Sequence, residues 1–369
     1  MRRLLVLLPC LFALLATTFT PAGRYCPLCA TPVTVQLLQG ADGAGGQDRD
    51  LLRRASGAQP FMEVATTCPR CGFSGWPEDF PEQKPRRPRR GEDVFDAPLR
   101  QAFAIGTAVR LPDSLQDLPR PPGTPWANLP AFARLDLVAQ TVRLRGGEPQ
   151  RVADLWLQAS WAVRMGWHPV HLDLPDPGPA QQAWLLSRLE EYTAQGQSLA
   201  IHNVADLEVL AAVRLLVGTG DAGPELHCLA VATGAALLRE HGEHPALRSA
   251  LPLIEPCVAP EAWAPLRAAV EDSITLEQGY ERLARDGFAA VLAAGTLSGE
   301  DAALTTYLVG ELSRRLGETE AATAYFDAAS TLPEPEGLEV WIREQRCRAN
   351  EPDPLLGLLR CCARSPAGP

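Results

Sequence analysis

Between residues 131 and 350 apolar side chains return every three or four positions. Leu226, Leu229, Ala230, Thr233, Ala236 and Leu237 share one helical face, as do Leu304, Tyr307, Leu308, Leu312 and Leu316. That period is the mark of amphipathic helices. The same reading predicts helices over 131–144, 151–165, 180–195, 204–217, 260–272, 275–293, 319–331 and 337–347. Glycine or proline clusters punctuate them at Gly146-Gly147, Pro175 to Pro179, Gly218 to Gly223 and Gly295 to Gly299. Many short helices with short turns predict a stacked helical array.

The front of the chain has another texture. Val33, Val35 and Leu37 alternate with Thr34 and Gln36, the period of a half-buried strand. Gly40 to Gly46 reads as a flexible tip, and Phe61 to Thr67 as a second strand. Residues 77–130 hold eleven prolines. Each pushes the residue before it towards extended backbone. The stretch reads as a linker with one short helix near Ala97 to Ala108. The expected organisation is a signal peptide or anchor over 1–22, a zinc ribbon over 23–76, a proline-rich linker over 77–130, a helical repeat-like domain over 131–350 and a flexible tail over 351–369. The fold class is mainly α, with a small β ribbon ahead of the array.

The strongest chemistry lies in two Cys-Pro-x-Cys turns, Cys26-Pro27-Leu28-Cys29 and Cys68-Pro69-Arg70-Cys71. Each places two thiolates on one tight turn, and four thiolates brought together make a closed tetrahedral site suited to one structural zinc ion. The 38 residues between Cys29 and Cys68 exceed the roughly 15–20 of the common ribbon spacing. A glycine-rich insertion absorbs the excess, because each doubling of a flexible loop costs only about 0.6 kcal/mol. A module of some 50 residues buries little apolar surface, and structural zinc contributes on the order of 10–16 kcal/mol in small finger peptides. The ribbon is therefore expected to depend on its metal.

Composition narrows the function classes. The formal net charge is -10, which argues against general binding to a phosphate backbone. The local basic run Lys84 to Arg90 reads as a solvated linker face. Arg2 and Arg3, the apolar stretch Leu4 to Ala16 and the small residues Thr20-Pro21-Ala22 resemble an export signal with cleavage after Ala22. The apolar stretch is short for a membrane span, although an uncleaved anchor remains an alternative. The expected location is periplasmic or extracellular. There the remaining thiols, Cys228, Cys257, Cys347, Cys361 and Cys362, are open to oxidation. The adjacent pair Cys361 and Cys362 reads as incidental.

Other motifs are weaker. Gly218-Thr-Gly-Asp-Ala-Gly223 matches a dinucleotide glycine pattern, but Pro224 opening the next helix fits an ordinary turn. His168-Pro-Val-His171 with Asp173, and His241-Gly-Glu-His244, could bind a second metal, yet neither shows an obvious third ligand, and surface turns beside Pro169 and Pro245 explain them about as well. Trp156, Trp161, Trp167, Trp184, Trp263 and Trp341 read as packing anchors.

Gly310, Gly317, Ala322, Phe326 and Ala329 fall at tetratricopeptide spacing, with Thr306 and Ser313 departing from it. The knuckles, the segment Asp154 to Trp161 and the segment Tyr307 to Gly317 together resemble an uncharacterised bacterial family in which a two-knuckle zinc ribbon precedes tetratricopeptide-like helices. The resemblance implies zinc at Cys26, Cys29, Cys68 and Cys71 and a helical interaction surface, with no known reaction. The expected function is a non-enzymatic scaffold that binds a protein or peptide, with no nucleic acid partner and with membrane contact only through an N-terminal anchor. The alternative is an exported thiol-disulfide oxidoreductase using one of the two cysteine pairs.

Overall fold

Alternation of Val33 and Val35 does give a strand. β2 (Pro32–Gly40) buries both side chains and pairs antiparallel with β1 (Thr18–Tyr25), from Tyr25 opposite Pro32 to Thr18 opposite Gly40. The structure, a computed structural model, describes residues 17–41, 43, 45–55, 57–85, 123–166, 179–197, 204–218, 223–333, 335 and 337–362. Most of the expected export signal and the expected helix at Ala97 to Ala108 lie outside these residues. β1 itself was hidden in the sequence because its small and polar residues read as a cleavage region. It runs across Ala22, so processing there would take Thr18 to Ala22 out of the hairpin.

The second predicted strand is corrected. α1 (Pro60–Val64) is a helical turn, and only β3 (Thr66–Thr67) is extended, paired with β4 (Ser74–Gly75). Pro60 sits at the first helical position, where its fixed φ is pre-set. Arg134 then takes up carbonyls at the other end. Its Nη1 and Nη2 donate to Ala65 O at 2.7 Å and Met62 O at 2.6 Å. Orphan carbonyls are the general weakness of a helix end, and here a distant arginine answers it.

α2 (Ala131–Leu144) and α3 (Pro149–Gly166) pack together, and both bury apolar side chains, Phe132, Leu135 and Val138 on the first and Leu155, Ala159 and Val163 on the second. α2 also touches α1, β3 and β4. These two helices therefore belong with the ribbon. The chain divides into one unit of Met1–Gly45 and Arg53–Gly166 and a second of Gly46–Leu52 and Trp167–Pro369, so the helical domain starts later than 131.

The second unit is helical. It contains α4 (Pro179–Gln197), α5 (Val204–Gly218), α6 (Pro224–Glu240), α7 (His244–Ile254), α8 (Pro260–Ala293), α9 (Gly299–Arg315), α10 (Thr319–Ala329), α11 (Leu338–Ala349) and α12 (Pro354–Cys362). The two helices expected over 260–272 and 275–293 are one, because the polar residues between them are used inside the helix. Ser273 is buried and accepts from Arg239 Nη2 at 2.6 Å, while Thr275 Oγ1 donates back to Glu271 O at 2.7 Å.

The tail is also corrected. Asp353 Oδ1 accepts from the backbone N–H groups of Leu355 and Leu356, capping α12. Leu355 and Leu358 enter the core formed by Val213, Leu216, Leu238 and Leu251. Cys361 forms a disulfide with Cys347, so its reading as incidental falls; the Cys362 side chain lies outside the described set. Because α12 packs on both α5 and α7, the array returns to its own earlier helices instead of ending open.

Residues Gly46–Leu52, beside the expected flexible tip, are ordered within this unit. Tyr307 Oη donates to Arg49 O at 2.8 Å, and the Arg49 guanidinium lies 4.8 Å from the Trp341 ring and 2.6 Å from Glu344. No helix among the described residues is long and apolar enough to cross a membrane.

Candidate metal centre

Each Cys-Pro-x-Cys turn closes a β-hairpin, and the two have the same hydrogen-bond skeleton. Cys26 N donates to Thr31 O at 2.8 Å and Ala30 N to Cys26 O at 2.9 Å. In the second turn Cys68 N donates to Phe73 O at 2.8 Å and Gly72 N to Cys68 O at 3.0 Å. The fifth residue of each turn is left-handed, Ala30 at φ 55° and Gly72 at φ 79°. Gly72 is also required for space: a Cβ there would meet the Trp126 ring at 2.7 Å. Val33, Val35, Phe73 and Phe80 pack around Cys26 and Cys68, with the two phenyl rings edge to face at 5.4 Å.

This scaffold brings all four predicted cysteines together. Cys26 Sγ lies 3.5 Å from Cys71 Sγ and Cys29 Sγ 3.5 Å from Cys68 Sγ, and all four sulfurs fall within 4.8 Å of one another. Sulfurs held at 2.3 Å from a tetrahedral zinc would be about 3.8 Å apart. The donor set and its spacing can therefore hold a metal ion, with no protein ligand left to recruit. Without a cation, four thiolates cannot coexist at this range. Thiol hydrogen bonds from Cys26 and Cys71 hold Cys68 ionised, down at about 2. The same hydrogen bond to Cys68 pushes the Cys26 thiol up to about 12, and the bond to Cys26 pushes Cys71 up as well. A dication would do the work of the missing protons.

Redox chemistry at a Cys-x-x-Cys pair normally places the first thiol at a helix N-terminus, which lowers its pKa. Here β2 follows one pair and β4 the other. Elsewhere the described cysteines are oxidised: Cys228 pairs with Cys257, and Cys347 with Cys361. The four knuckle cysteines stay free.

The second unit holds a site that sequence reasoning placed wrongly. His241 and His244 are buried, not in a surface turn. His244 Nε2 lies 3.1 Å from Glu277 Oε1 and 3.7 Å from Glu281 Oε1, and all three residues are fully buried. Burial alone would lower the His244 pKa, but the two carboxylates outweigh it and the net shift is upward. His241 Nδ1 and Nε2 lie 3.2 Å from Asp48 and 3.0 Å from Glu208. Around them Arg239 donates to Glu277 Oε2 at 2.5 Å, and Arg315 pairs with Asp50 at 3.0 Å and Glu311 at 2.8 Å. Arg314 bridges Glu311 and Glu243, and Arg348 pairs with Glu243. The clue lay in helix phase. Glu277 and Glu281, four apart, share the inward face of α8 with Ile274 and Ala284.

The remaining candidates separate clearly. Val213 to Val217 are helical in α5, so no strand precedes the glycine pattern, and Gly223 at φ 78° leads into Pro224 of α6 as a turn. His168, His171, Asp173, Trp167, Gly220 and the Arg86–Arg90 part of the basic run lie outside the described residues. Trp156 donates to Asp136 at 3.1 Å, Trp161 stacks edge-on with Phe61 at 5.8 Å, and Trp263 packs on the second unit's core, as anchors should. No protein-family model, curated protein or solved structure matches the chain.

Proposed function

We propose that the protein is an exported, non-enzymatic interaction scaffold whose ribbon is held by one structural Zn2+ at Cys26, Cys29, Cys68 and Cys71. The observation that carries this reading is the division of the described cysteines. Four converge as free thiols, while four others pair as disulfides. Disulfides belong to oxidising compartments, and thiols 3.5 Å apart in such a place survive when a metal holds them. A four-thiolate site is closed, so it offers no position for a substrate.

The helical unit supplies the contact surface. α9 and α10 approach closely where Gly310 faces Phe326; a Cβ at 310 would meet that ring at 2.9 Å. This supports the tetratricopeptide-like reading and the resemblance to the zinc-ribbon family. α4 has no buried side chain among its described residues, and Leu186 and Val217 are 59% and 51% exposed. A partner protein or peptide covering these side chains would remove their apolar surface from water.

Affinity capture from the native envelope tests the scaffold role. The expected result is a partner protein lost with Leu186→Glu and Val217→Glu but kept with Cys71→Ser. A partner that follows the ribbon instead, or knuckle thiols that cycle readily with a dithiol reductant, would overturn it in favour of a ribbon-centred or redox role.

A further inference from the structure

The His241-Gly-Glu-His244 motif lacked a third ligand in the sequence; the fold brings two. We propose that His244 Nε2, Glu277 and Glu281 form a second divalent-cation site, separate in ligand chemistry from the sulfur centre, that takes a first-row ion such as Mn2+, Fe2+ or Zn2+.

The distances fit such an ion. Donors 2.1 Å from one metal lie about 3.0 Å apart when at right angles and about 3.4 Å apart in a tetrahedron. His244 Nε2 is 3.1 Å from Glu277 Oε1 and 3.7 Å from Glu281 Oε1. At 3.1 Å a histidine and a carboxylate ordinarily share a hydrogen bond, yet the angle at Nε2 does not make one. One donor atom from each of His244, Glu277 and Glu281 lies within 4.8 Å of the other two.

The surroundings fix the ligands. Glu277 divides its oxygens: Oε1 faces the histidine, and Oε2 accepts from Arg239, which Ser273 also holds. Glu281 has Arg315 3.8 Å away, itself pinned by Asp50 and Glu311. Such outer contacts orient metal ligands and tune affinity. The ligand spacing is also built in, because Glu277 and Glu281 are one helical turn apart on α8.

The surrounding network sets the carboxylates of Asp50, Glu243, Glu277, Glu281, Glu311 and Glu344 among the guanidiniums of Arg49, Arg239, Arg314, Arg315 and Arg348. A cavity of about 380 Å³ is lined by the sequence neighbours of His244, Glu243 and Pro245, together with Ala246 and Arg314.

Oxygen and nitrogen donors accept Mn2+, which thiolates hold poorly. The test is to add Mn2+ to the full-length protein carrying a single equivalent of zinc, at the sulfur centre, and to count bound Mn2+ by electron paramagnetic resonance and elemental analysis. One bound equivalent is expected, lost in Glu281→Gln and in His244→Gln and retained in Cys71→Ser. No bound equivalent in the unaltered protein overturns the proposal whatever the variants do, and so does an equivalent that persists in both site variants. Neither result bears on the sulfur centre, whose metal is scored separately as zinc.

Discussion

Ala30 and Gly72 hold the same station in the two knuckles. Each follows the second cysteine, each has left-handed backbone, and each donates its N–H to the carbonyl of the first cysteine. Only one of them is glycine. A non-glycine residue in that conformation costs about 1–2 kcal/mol.

Ala30→Gly is therefore expected to stabilise the first unit by about 1 kcal/mol, less the entropy that glycine adds to the unfolded chain. Gly72→Ala should do the reverse and by more, since its Cβ would meet Trp126 at 2.7 Å as well. Urea unfolding of the zinc-loaded variants, followed by tryptophan fluorescence, measures both.

Asp136 is buried on α2, and burial raises its pKa to about 6 despite donation from Trp156 and Gln140. The native state then binds more protons than the unfolded chain, whose aspartate titrates near 4. By linkage, stability falls as pH rises from about 4 to about 6, by about 3 kcal/mol at most. Asp136→Asn should flatten this slope and raise stability at pH 7, as read from chemical unfolding at a series of pH values.

The Cys347–Cys361 bond closes a short loop and ties α12 to α11. A loop of about 15 residues corresponds to about 3 kcal/mol of unfolded-state entropy. Cys347→Ser with Cys361→Ser should lose about that much and raise amide exchange in α12 first, because Leu355 and Leu358 then hold the helix alone. Hydrogen exchange with mass detection gives the order.

Glu243 neutralises two buried arginines, Arg314 and Arg348, and they hold its carboxyl well below the usual range against the cost of burial. Its contribution is complete above the unfolded pKa near 4 and is lost as pH falls through the depressed folded value. Glu243→Gln strands buried positive charge and should cost about 3–5 kcal/mol. Thermal unfolding at pH 7 and at pH 3 checks this: the gap between variant and parent should narrow in acid.

Local pattern explains why some of this was legible. The helices of 131–144 and 319–331 follow from apolar spacing alone, and Cys26, Cys29, Cys68 and Cys71 from their turn chemistry. The network around His244 was not legible, because its partners come from segments as distant as Asp50, Glu277 and Arg315, and charge on an inward helical face looks like surface until the fold is known. α1 defeated the strand reading for a similar reason. Its carbonyls depend on Arg134, 69 residues after Ala65 in the chain. α12 needed the Cys347 bond and a core built elsewhere.

The sulfur centre is tested most directly by counting thiols and zinc together. Purified protein is titrated with a thiol reagent before and after a strong chelator. The account predicts that four further thiols become reactive on chelation as one zinc leaves, with loss of the hairpin signal from the first unit. Knuckle thiols that react fully beforehand, or that are joined to one another and never react, would contradict it.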